Sequence, residues 1–579
     1  MTLKIKERIK SIDKVYIIVT VLSVLFFVII YGVHVINPLN VGWFYTHHND
    51  IGQQYLGWKA FRHTPWKFPI GLFNTLSYPT DISIMFLDAV PGVATLFKFL
   101  SPILPNHFQY IGPWAVLCFM LQSVLTAKIL LRYTDNKVYV VLMSFFFTTF
   151  PCFLFRVFIH SSLTPQWLVL YALEPLFNYE YFYEHPKKLF IRYCLATFFG
   201  VCTNLYFSPM CAIILFGYLV SIAIYKKNFK LPLLLIAAYG IVTFATVALL
   251  GGFSPVFENM GVGAGKYGLN LNSFFNPSEF PRQSWSAYLY DMPFYNRGQL
   301  RGLYWGLGCF ILVLISAFAF FEIPSLKEKL KAKGPIVVAL AVSLVTALIV
   351  STIPIITFGD KVLLDIKLPF AIEYLWASFR ANGRFAWVIT YIVMLTAAIV
   401  LARLSRTHKK LACAVVLLCI TVQLADIRPY LAVKHEAFFP YEYVPSPLNE
   451  SDFWLAVADN EDIHRFVFSS TESRTDNKIF FYIANWAADH DITLNDFYFS
   501  RYLNHELFAD NLRDYLASPD GCVFLFSKAD ASEYMPEGLN YYIQDGYIVG
   551  SKHTIEGFDA MGRQDVLDFI ASKGDEVVF

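Results

Sequence analysis

The chain has 579 residues, of which 56% are hydrophobic and 16% are charged, and its mean hydropathy is +0.48. Soluble domains carry about 25% charged residues, so this composition excludes an ordinary soluble protein and indicates a chain embedded in a membrane. The net charge of +2 is not the strongly basic balance of a nucleic-acid-binding protein, and we predict no nucleic-acid partner.

The small net charge hides an uneven distribution. Residues 431–579 contain 26 acidic and 10 basic residues, whereas residues 1–430 contain 18 acidic and 36 basic residues. We therefore predict a transmembrane domain over 1–430, with a large first external loop at 37–110, and an acidic, extracytoplasmic α/β domain over 431–579. Eight of the nine cysteines lie before residue 431, in neither a disulfide framework nor a CxxC zinc pattern.

Runs of about 20 apolar residues are long enough to cross a bilayer as helices. The first run follows five Lys and Arg residues and exceeds the apolar region of a signal peptide, so we interpret it as an uncleaved anchor. Eleven spans are predicted, at 15–36, 111–131, 138–158, 160–182, 190–207, 209–225, 231–252, 301–321, 335–354, 385–402 and 411–427.

A further apolar segment, 86–104, is interrupted by charged residues, proline and glycine. We predict a re-entrant or interfacial helix there, and a twelfth span is the alternative. The fold class is thus a polytopic α-helical membrane protein of about 11–12 transmembrane helices. Short loops rich in Lys and Arg face the cytoplasm in membrane proteins. With the N-terminus in the cytoplasm, eleven spans put every such loop inside and the acidic domain outside.

Two carboxylates in the predicted first external loop are candidate catalytic groups. Asp50 lies about a dozen residues beyond the first span. A carboxylate there can deprotonate an acceptor hydroxyl in a glycosyl transfer, and a helix cap is the alternative. Asp88 is flanked by apolar residues, where an unpartnered carboxylate is costly. It is a candidate second acid, metal ligand or arginine partner, and the alternative is again a cap.

Two cationic pairs repeat a four-residue spacing, Arg156 with His160 and Arg380 with Arg384. Residues four apart share one face of a helix, and arginine offers several coplanar donors to a phosphate. We predict that Arg380 and Arg384 clamp a phosphate where a span begins. Arg156 and His160 are further donor-binding candidates, for which snorkelling to the membrane interface is the alternative.

The stretch from Gly261 to Gly268 resembles a phosphate-binding loop, but Met260 and Tyr267 break the GxxxxGK[ST] spacing. We interpret it as an external loop whose polar side chains are available to sugar hydroxyls, although interfacial aromatic belts explain its neighbouring Trp and Tyr residues equally well. The candidates for substrate binding are Gln54, Lys266, Asn270 and Asn276.

In the first loop, Trp58, Arg62, Trp66 and Pro69 follow Asp50 at near-helical spacing. This spacing predicts an amphipathic helix lying in the outer membrane interface. In the acidic domain we predict strands at 464–469 and 522–527, helices at 479–490 and 506–517, and a strand pair at 541–549. No GxSxG, HExxH or EF-hand motif occurs there.

The motifs are Asp50-x-x-Gln53 with Tyr55-Leu56-Gly57-Trp58, Asp88-x-x-Pro91, Arg156-x-x-x-His160, Gly268-Leu269-Asn270-Leu271 with Asn276-Pro277, and Phe379-Arg380-x-x-Gly383-Arg384-Phe385. With these motifs the chain resembles the GT-C superfamily of membrane glycosyltransferases, and more closely a bacterial family of large membrane proteins with that architecture. The resemblance implies a GT-C-like fold in the cytoplasmic membrane, with a catalytic acid in the first external loop. Asp50 is the matching position.

The resemblance also implies the partners: a polyprenyl-phosphate sugar donor, a glycan or lipid-linked acceptor, and membrane lipids. Asn49 stands where some members carry a second acidic residue, so a divalent cation is left open, and no other cofactor is predicted. The functional hypothesis is sugar transfer to a cell-envelope acceptor on the outer face of the membrane. The alternatives are a transporter or flippase of a lipid-linked glycan, and a non-catalytic envelope-assembly scaffold.

Overall fold

The computed structural model describes residues 14–45, 50–257, 265–279, 283–296, 303–322, 334–439, 447–470, 478–501, 503–545 and 547–573. The chain forms two compact units. The helical unit comprises residues 1–37, 112–246 and 259–440, and the loop–tail unit comprises residues 38–111, 247–258 and 441–579. The sequence prediction instead places the first loop with the spans, dividing the chain at residue 430.

The described part of the helical unit consists mainly of helices with two short antiparallel strand pairs. The helices that lie wholly or mostly in it are Lys14–Tyr31, Ile111–Leu130, Lys137–Phe146, Pro151–Leu154, Trp167–Phe177, Tyr179–Glu184, Pro186–Thr203, Phe207–Lys226, Lys230–Leu249, Leu307–Glu322, Gly334–Thr352, Phe370–Ser378, Ala386–Leu404, Lys409–Asp426 and Arg428–Phe438. The strand pairs are Ser278–Glu279 with Gln283–Ser284 and Ile355–Phe358 with Lys361–Asp365.

Within the described residues, six helices are long and apolar enough to cross a membrane. They are Lys14–Tyr31, Ile111–Leu130, Phe207–Lys226, Lys230–Leu249, Gly334–Thr352 and Asn382–Leu404. A seventh is added if Lys409–Asp426 and Arg428–Phe438, which meet at a bend of 62°, form one span. The fold is therefore that of an α-helical membrane protein with several spans. The other predicted spans are helical but shorter, broken or more charged, and the count of eleven stays a prediction.

The ambiguous segment 86–104 contains the helix Pro91–Leu100, which has 10 residues. At 1.5 Å per residue, such a helix is about 15 Å long, which is half of the roughly 30 Å hydrocarbon core. This helix is thus too short to be the twelfth span that was the alternative at this place.

Small residues let helices of this unit approach closely. A Cβ atom on Gly217 would clash with Ser343 and with the backbone of Ala339, which lie on the neighbouring helix. A Cβ atom on Gly308 would clash in the same way with the carbonyl of Cys419. Helices in membranes gain most of their contact energy from such close packing, because lipid is as apolar as their own side chains.

A buried carboxylate organises the bend between Lys409–Asp426 and Arg428–Phe438. The side chain of Asp426 is fully buried. It accepts hydrogen bonds from the hydroxyl of Ser286, from the hydroxyl of Tyr304 at 2.7 Å and from the backbone N–H of Leu307 at 2.9 Å. A loop and a helix start are thereby held to the end of one helix.

We expect Asp426→Asn to destabilise the protein by about 3 kcal/mol, because one carboxylate oxygen becomes an NH₂ group facing a buried donor. Asp365→Asn is the matched control, because Asp365 is exposed on its strand. The check is the thermal unfolding midpoint of both variants in one detergent at one heating rate. Equal midpoints for the two variants would contradict the role assigned to Asp426.

The loop–tail unit is an α/β structure. Its helices are Gly42–Tyr45, Asp50–His63, Pro91–Leu100, Asp452–Asp459, Lys478–Asp489, His505–Ala517, Lys528–Tyr534 and Arg563–Lys573. A strand pair, Leu72–Phe73 with Ile82–Ser83, lies in the first loop. The five-stranded sheet has the spatial order Asn540–Gln544, Tyr547–Ser551, Cys522–Phe526, Arg465–Phe468 and Thr493–Leu494.

The sheet confirms the small α/β domain predicted for the acidic end of the chain. The strand Arg465–Phe468 pairs in parallel with both of its neighbours, whereas Asn540–Gln544 and Tyr547–Ser551 form an antiparallel hairpin. All five residues of Cys522–Phe526 are buried, as expected of a central strand covered on both faces. The predicted helices at 479–490 and 506–517 are present within one residue at each end.

The first loop closes the edge of this sheet. The backbone N–H of Leu494, in the edge strand, donates to the carbonyl of Thr75 at 2.8 Å, and the N–H of Tyr78 donates to the carbonyl of Leu494 at 2.7 Å. The guanidinium of Arg465 lies over the ring of Tyr78, and the hydroxyl of Tyr515 donates to the carbonyl of Tyr78 at 2.7 Å. A covered edge cannot pair with another chain.

The helix Asp50–His63 is the buried centre of the loop–tail unit. Eleven of its 14 residues are buried, including Trp58 and Arg62. The ammonium of Lys59 is held by Asp489 and by the side-chain oxygen of Asn485 at 2.8 Å. The guanidinium of Arg62 donates to carbonyls in 104–106 of the same loop. The predicted amphipathic helix in the membrane interface is therefore wrong for this segment, because the tail and the rest of the loop cover the polar side of the helix.

Candidate functional site

Asp50 is the first residue of the helix Asp50–His63. Its side chain is half-buried, and its Oδ1 atom accepts a hydrogen bond of 3.3 Å from the hydroxyl of Tyr498. A carboxylate in the first turn of a helix is favoured by the positive end of the helix dipole. A helix does begin at Asp50, as the alternative interpretation of Asp50 as a helix cap requires. The carboxylate is nevertheless partly accessible at this position.

Asp88 lies outside this helix, between the 3-10 helix Ile84–Phe86 and the helix Pro91–Leu100. Its neighbour Leu87 packs so tightly on Gly57 that a Cβ atom there would come within 2.9 Å of the Leu87 side chain. Gly57 is seven residues beyond Asp50, or about 10 Å along the helix axis. Asp88 is 9% exposed. The burial of Tyr110, and then the charge of Asp88, raise the pKa of Tyr110 well above its usual value. Asp50 therefore begins the helix, whereas Asp88 follows a residue that packs against the middle of the helix.

Gln54, a predicted substrate ligand, is fully buried. Its amide nitrogen donates to the carbonyl of Asp50 at 2.9 Å, which closes the first turn of the helix. The preceding Gln53 donates to the carbonyl of Tyr498 at 2.5 Å. Both glutamines thus help to hold the helix start that carries Asp50.

In the helical unit, Arg156 is 2% exposed and lies against aromatic rings. Its guanidinium carbon is 4.5 Å from the ring centre of Phe155 and 5.5 Å from that of Trp387. One terminal nitrogen is 3.5 Å from Nδ1 of His160. Arginine stacked on aromatic faces is fixed in orientation, as anion recognition requires.

Arg380 and Arg384 both lie just before the start of the helix Ala386–Leu404. The guanidinium of Arg384 lies 4.6 Å from the ring centre of Tyr206, and that of Arg380 lies 5.7 Å from the ring centre of Tyr267. The hydroxyl of Tyr206 also accepts a hydrogen bond of 2.9 Å from the backbone N–H of Ala381. One tyrosine thus supports both the side chain and the turn.

Neither cationic pair lies on one face of a helix, so this part of the prediction is wrong. Phe158 has a positive φ of 67°, which ends the helical turn between Arg156 and His160. The amide of Asn382 donates to three carbonyls in 350–353. Arg380 therefore lies in an irregular turn, and Arg384 lies in the short 3-10 helix that follows. Tertiary contacts, rather than helical spacing, position these side chains.

His160 brings the cationic residues together. Burial, and then the positive charges of Arg156, Arg384, Lys434 and Arg380, lower the pKa of His160 well below its usual value. The imidazole lies outside the six apolar helices. We call these five residues the cation cluster. Three arginines and one lysine around a single imidazole form a site suited to an anion.

Lys434 is the one residue of the cation cluster that is not predicted from the sequence. It is 4% exposed, and its ammonium donates to the carbonyl of Val157 at 3.3 Å. The same ammonium lies 5.5 Å from the ring centre of Tyr430 and 5.6 Å from that of Phe438. These rings stand four residues before and after it, a spacing that could have indicated a lysine enclosed by aromatic residues.

A protein-family model described as a domain of unknown function, DUF6311, matches residues 20–428. The chain belongs to the DUF6311 family. A second model, described as the DUF6311 C-terminal domain, matches residues 453–552. No match was found among the curated proteins. These two DUF6311 models part between residues 428 and 453, close to the division that the charge distribution predicts.

Two of the predicted substrate ligands of this DUF6311 chain serve its own backbone. The side chain of Asn270 donates to the carbonyl of Gly359 at 2.7 Å and accepts from the N–H of Gly359 at 3.0 Å. The side chain of Asn276 exchanges the same two bonds with Met292, at 2.9 and 3.0 Å. Both are buried. Their geometry therefore assigns them a structural role in fixing loops.

Lys266 is exposed, and its ammonium is 5.6 Å from the ring centre of Tyr267, the ring that Arg380 also faces. The carbonyl of Tyr267 accepts a hydrogen bond of 3.1 Å from the N–H of Gly383. This segment thus packs beside the arginine turn. The stretch from Gly261 to Ala264 lies outside the described residues, as does Asn49.

Among the residues that the structure describes, no group of three or more His, Cys, Asp and Glu side chains could hold a metal ion. Asp50 and Asp88 therefore do not form such a group with other described residues.

Proposed function

We propose that the protein is a GT-C-like membrane glycosyltransferase, which moves a sugar from a polyprenyl-phosphate donor to a cell-envelope glycan or lipid-linked acceptor. The observation that carries the proposal is the cation cluster, Arg156, His160, Arg380, Arg384 and Lys434. Arg156 and Lys434 are buried, and Arg380 and Arg384 are half-buried. Cations removed from water in a membrane protein are costly and usually mark a binding site. The phosphate group of a lipid is an anion that is present in the bilayer around such a protein.

The cation cluster would bind the phosphate and stabilise its charge as it leaves the sugar. Arginine donates several hydrogen bonds in a plane that fits phosphate oxygens. The bond between the anomeric carbon and the phosphate oxygen breaks, and the negative charge that develops on the phosphate is larger than in the bound donor. Donors aimed at this charge lower the barrier of the reaction.

Asp50 would act as the general base. It takes the proton of the acceptor hydroxyl while the acceptor oxygen forms its bond to the anomeric carbon. The products are the glycosylated acceptor, the polyprenyl phosphate and a protonated Asp50, which returns its proton to water. In this proposal Asp88 orients the acceptor or serves as a second acid.

The proposed location is the bacterial cytoplasmic membrane. The positive loops support a cytoplasmic N-terminus, about eleven spans, and chemistry on the outer face. That face is where lipid-linked sugars meet envelope acceptors.

Deletion of the gene is the first test. We expect the surface glycan to lose one sugar while the sugar-charged polyprenyl phosphate accumulates in the outer leaflet. The measurement is the sugar composition of the surface glycan together with mass spectrometry of the lipid fraction. Accumulation of the charged lipid in the inner leaflet alone would instead indicate a flippase, and an unchanged glycan with disturbed envelope assembly would indicate a scaffold.

A further inference from the structure

The loop–tail unit places a tail residue on the candidate base. Tyr498 follows the edge strand Thr493–Leu494, and its hydroxyl donates to Oδ1 of Asp50 at 3.3 Å. Its backbone carbonyl accepts from Gln53, one turn further along the helix that Asp50 begins. Side chain and backbone of one tail residue thus hold the start of one loop helix.

Tyr498 is itself held by both parts of the unit. Its ring lies 6.1 Å from the ring of Phe481, on the tail helix Lys478–Asp489. Two residues later, the N–H of Ser500 donates to the carbonyl of Phe86 at 2.9 Å. The intervening Phe499 packs on Phe257 at 5.6 Å. A side chain anchored on both sides has few alternative positions, so its hydroxyl is oriented toward Asp50 before any substrate binds.

The same docking is repeated along the helix. Lys59 joins Asp489 and Asn485 of the tail, and the edge strand pairs with residues 75–78 of the loop. The Asp50–His63 helix is therefore fixed by the tail at its start, its middle and its flank. Its N-terminal carboxylate takes its position from residues near the far end of the chain.

We infer that Tyr498 is a positioning residue for Asp50, and that the C-terminal domain is part of the catalytic unit rather than an accessory module. This inference rests on the proposed function, because it gives Asp50 the role of base. A hydroxyl that donates to a carboxylate fixes its orientation and favours the ionised form, which is the form that accepts the acceptor's proton.

The test compares two tyrosines that each donate one hydrogen bond from tail to loop. Tyr498→Phe removes the bond to Asp50. Tyr515→Phe, the matched control, removes the 2.7 Å bond to the carbonyl of Tyr78, away from Asp50. Membranes of the deletion strain carrying each full-length variant contain the native donor and acceptor. Initial rates of sugar incorporation are measured in them across pH.

For Tyr498→Phe we expect a rate about 10- to 100-fold lower, which is less than the roughly 1,000-fold assigned to the base itself, because Asp50 is still present. The acidic limb of its pH–rate profile moves to higher pH, because an Asp50 without its donor needs a higher pH to ionise. Tyr515→Phe keeps the wild-type rate and profile. In Asp50→Asn protein, adding Tyr498→Phe produces no further loss of rate.

The outcomes separate the inference from the function on which it rests. Wild-type membranes that transfer no more sugar than deletion membranes overturn the proposed function, and the inference falls with it. Wild-type transfer, with Tyr498→Phe matching Tyr515→Phe in rate and pH profile, overturns the inference alone. A slower Tyr498→Phe with an unmoved profile and a further loss in the Asp50→Asn background also overturns it, because the residue would then act on folding.

Discussion

Asp50→Asn lowers the rate of sugar transfer by about 1,000-fold in our expectation, the middle of the range that a general base contributes. The amide is close in size to the carboxylate and can still accept the hydrogen bond from Tyr498, so the helix start keeps its geometry. It cannot take a proton from the acceptor hydroxyl. The apparent affinity for the donor is expected to stay near the wild-type value, because Asp50 does not belong to the cation cluster.

The measurement is the sugar content of the surface glycan and the transfer rate in membranes, with protein levels matched by immunoblot. Asp81→Asn is the control, because Asp81 lies in the same loop, is about half exposed and pairs with Lys67. Both variants remove one loop carboxylate, but only Asp50→Asn is expected to reproduce the deletion. Full transfer by a normally expressed Asp50→Asn protein would rule out the proposed base.

Arg384→Gln is the second change with a large expected effect. We expect it to weaken donor binding by about 100-fold, or roughly 3 kcal/mol, as is typical when one partner of a desolvated charge pair is truncated. The rate at saturating donor falls less. Arg384→Lys restores only part of the affinity, since an ammonium lacks the planar fork of donors that grips a phosphate.

The readouts are the Michaelis constant for the donor and the inhibition constant of added undecaprenyl phosphate. If Arg384 binds the phosphate, both constants rise together, because donor and product share that group. Arg406→Gln is the control, as Arg406 is an exposed arginine of the same unit, donating to the carbonyl of Tyr133. A rise in the first constant without the second would place Arg384 at the sugar or acceptor instead.

The elements that depend on local patterns are those that the sequence predicts. The strands Arg465–Phe468 and Cys522–Phe526 are short apolar runs bounded by polar residues, and the helix Lys478–Asp489 shows the helical period. The long apolar helices follow from length and hydropathy in the same way. These signals are contained within a few residues, so no knowledge of the rest of the chain is needed.

The arrangement of these elements depends on contacts between distant residues, which no local pattern records. The bond from Leu494 to Thr75 joins opposite ends of the chain, and it puts the first loop with the tail instead of with the spans. Trp58 and Arg62 have the pattern of an interfacial helix only while the rest of the loop is left out, because Trp58 donates to the carbonyl of Phe108 and Arg62 donates to carbonyls in 104–106.

For the cationic residues, too, the sequence predicts the local features but not the contacts between distant residues. The type and rough location of Arg156, Arg380 and Arg384 are visible in the sequence, because charged residues interrupt apolar surroundings there. Their geometry is not, since the three bonds of Asn382 and the positive φ of Phe158 break the helices on which the four-residue spacing relies. Lys434 escapes notice because it lies beyond the last predicted span, 411–427.

The hydrogen bond between Asp50 and Tyr498 also has a consequence for biosynthesis. The two residues are 448 positions apart, so at about 5–20 residues per second the ribosome supplies the second roughly 20–90 s after the first. Throughout this interval Lys59 of the newly made loop helix lacks its two tail partners, Asn485 and Asp489. A nascent chain therefore acquires its membrane helices well before its candidate base is in place, and under the proposed function translation that stops before residue 498 would yield an inserted protein without transfer activity.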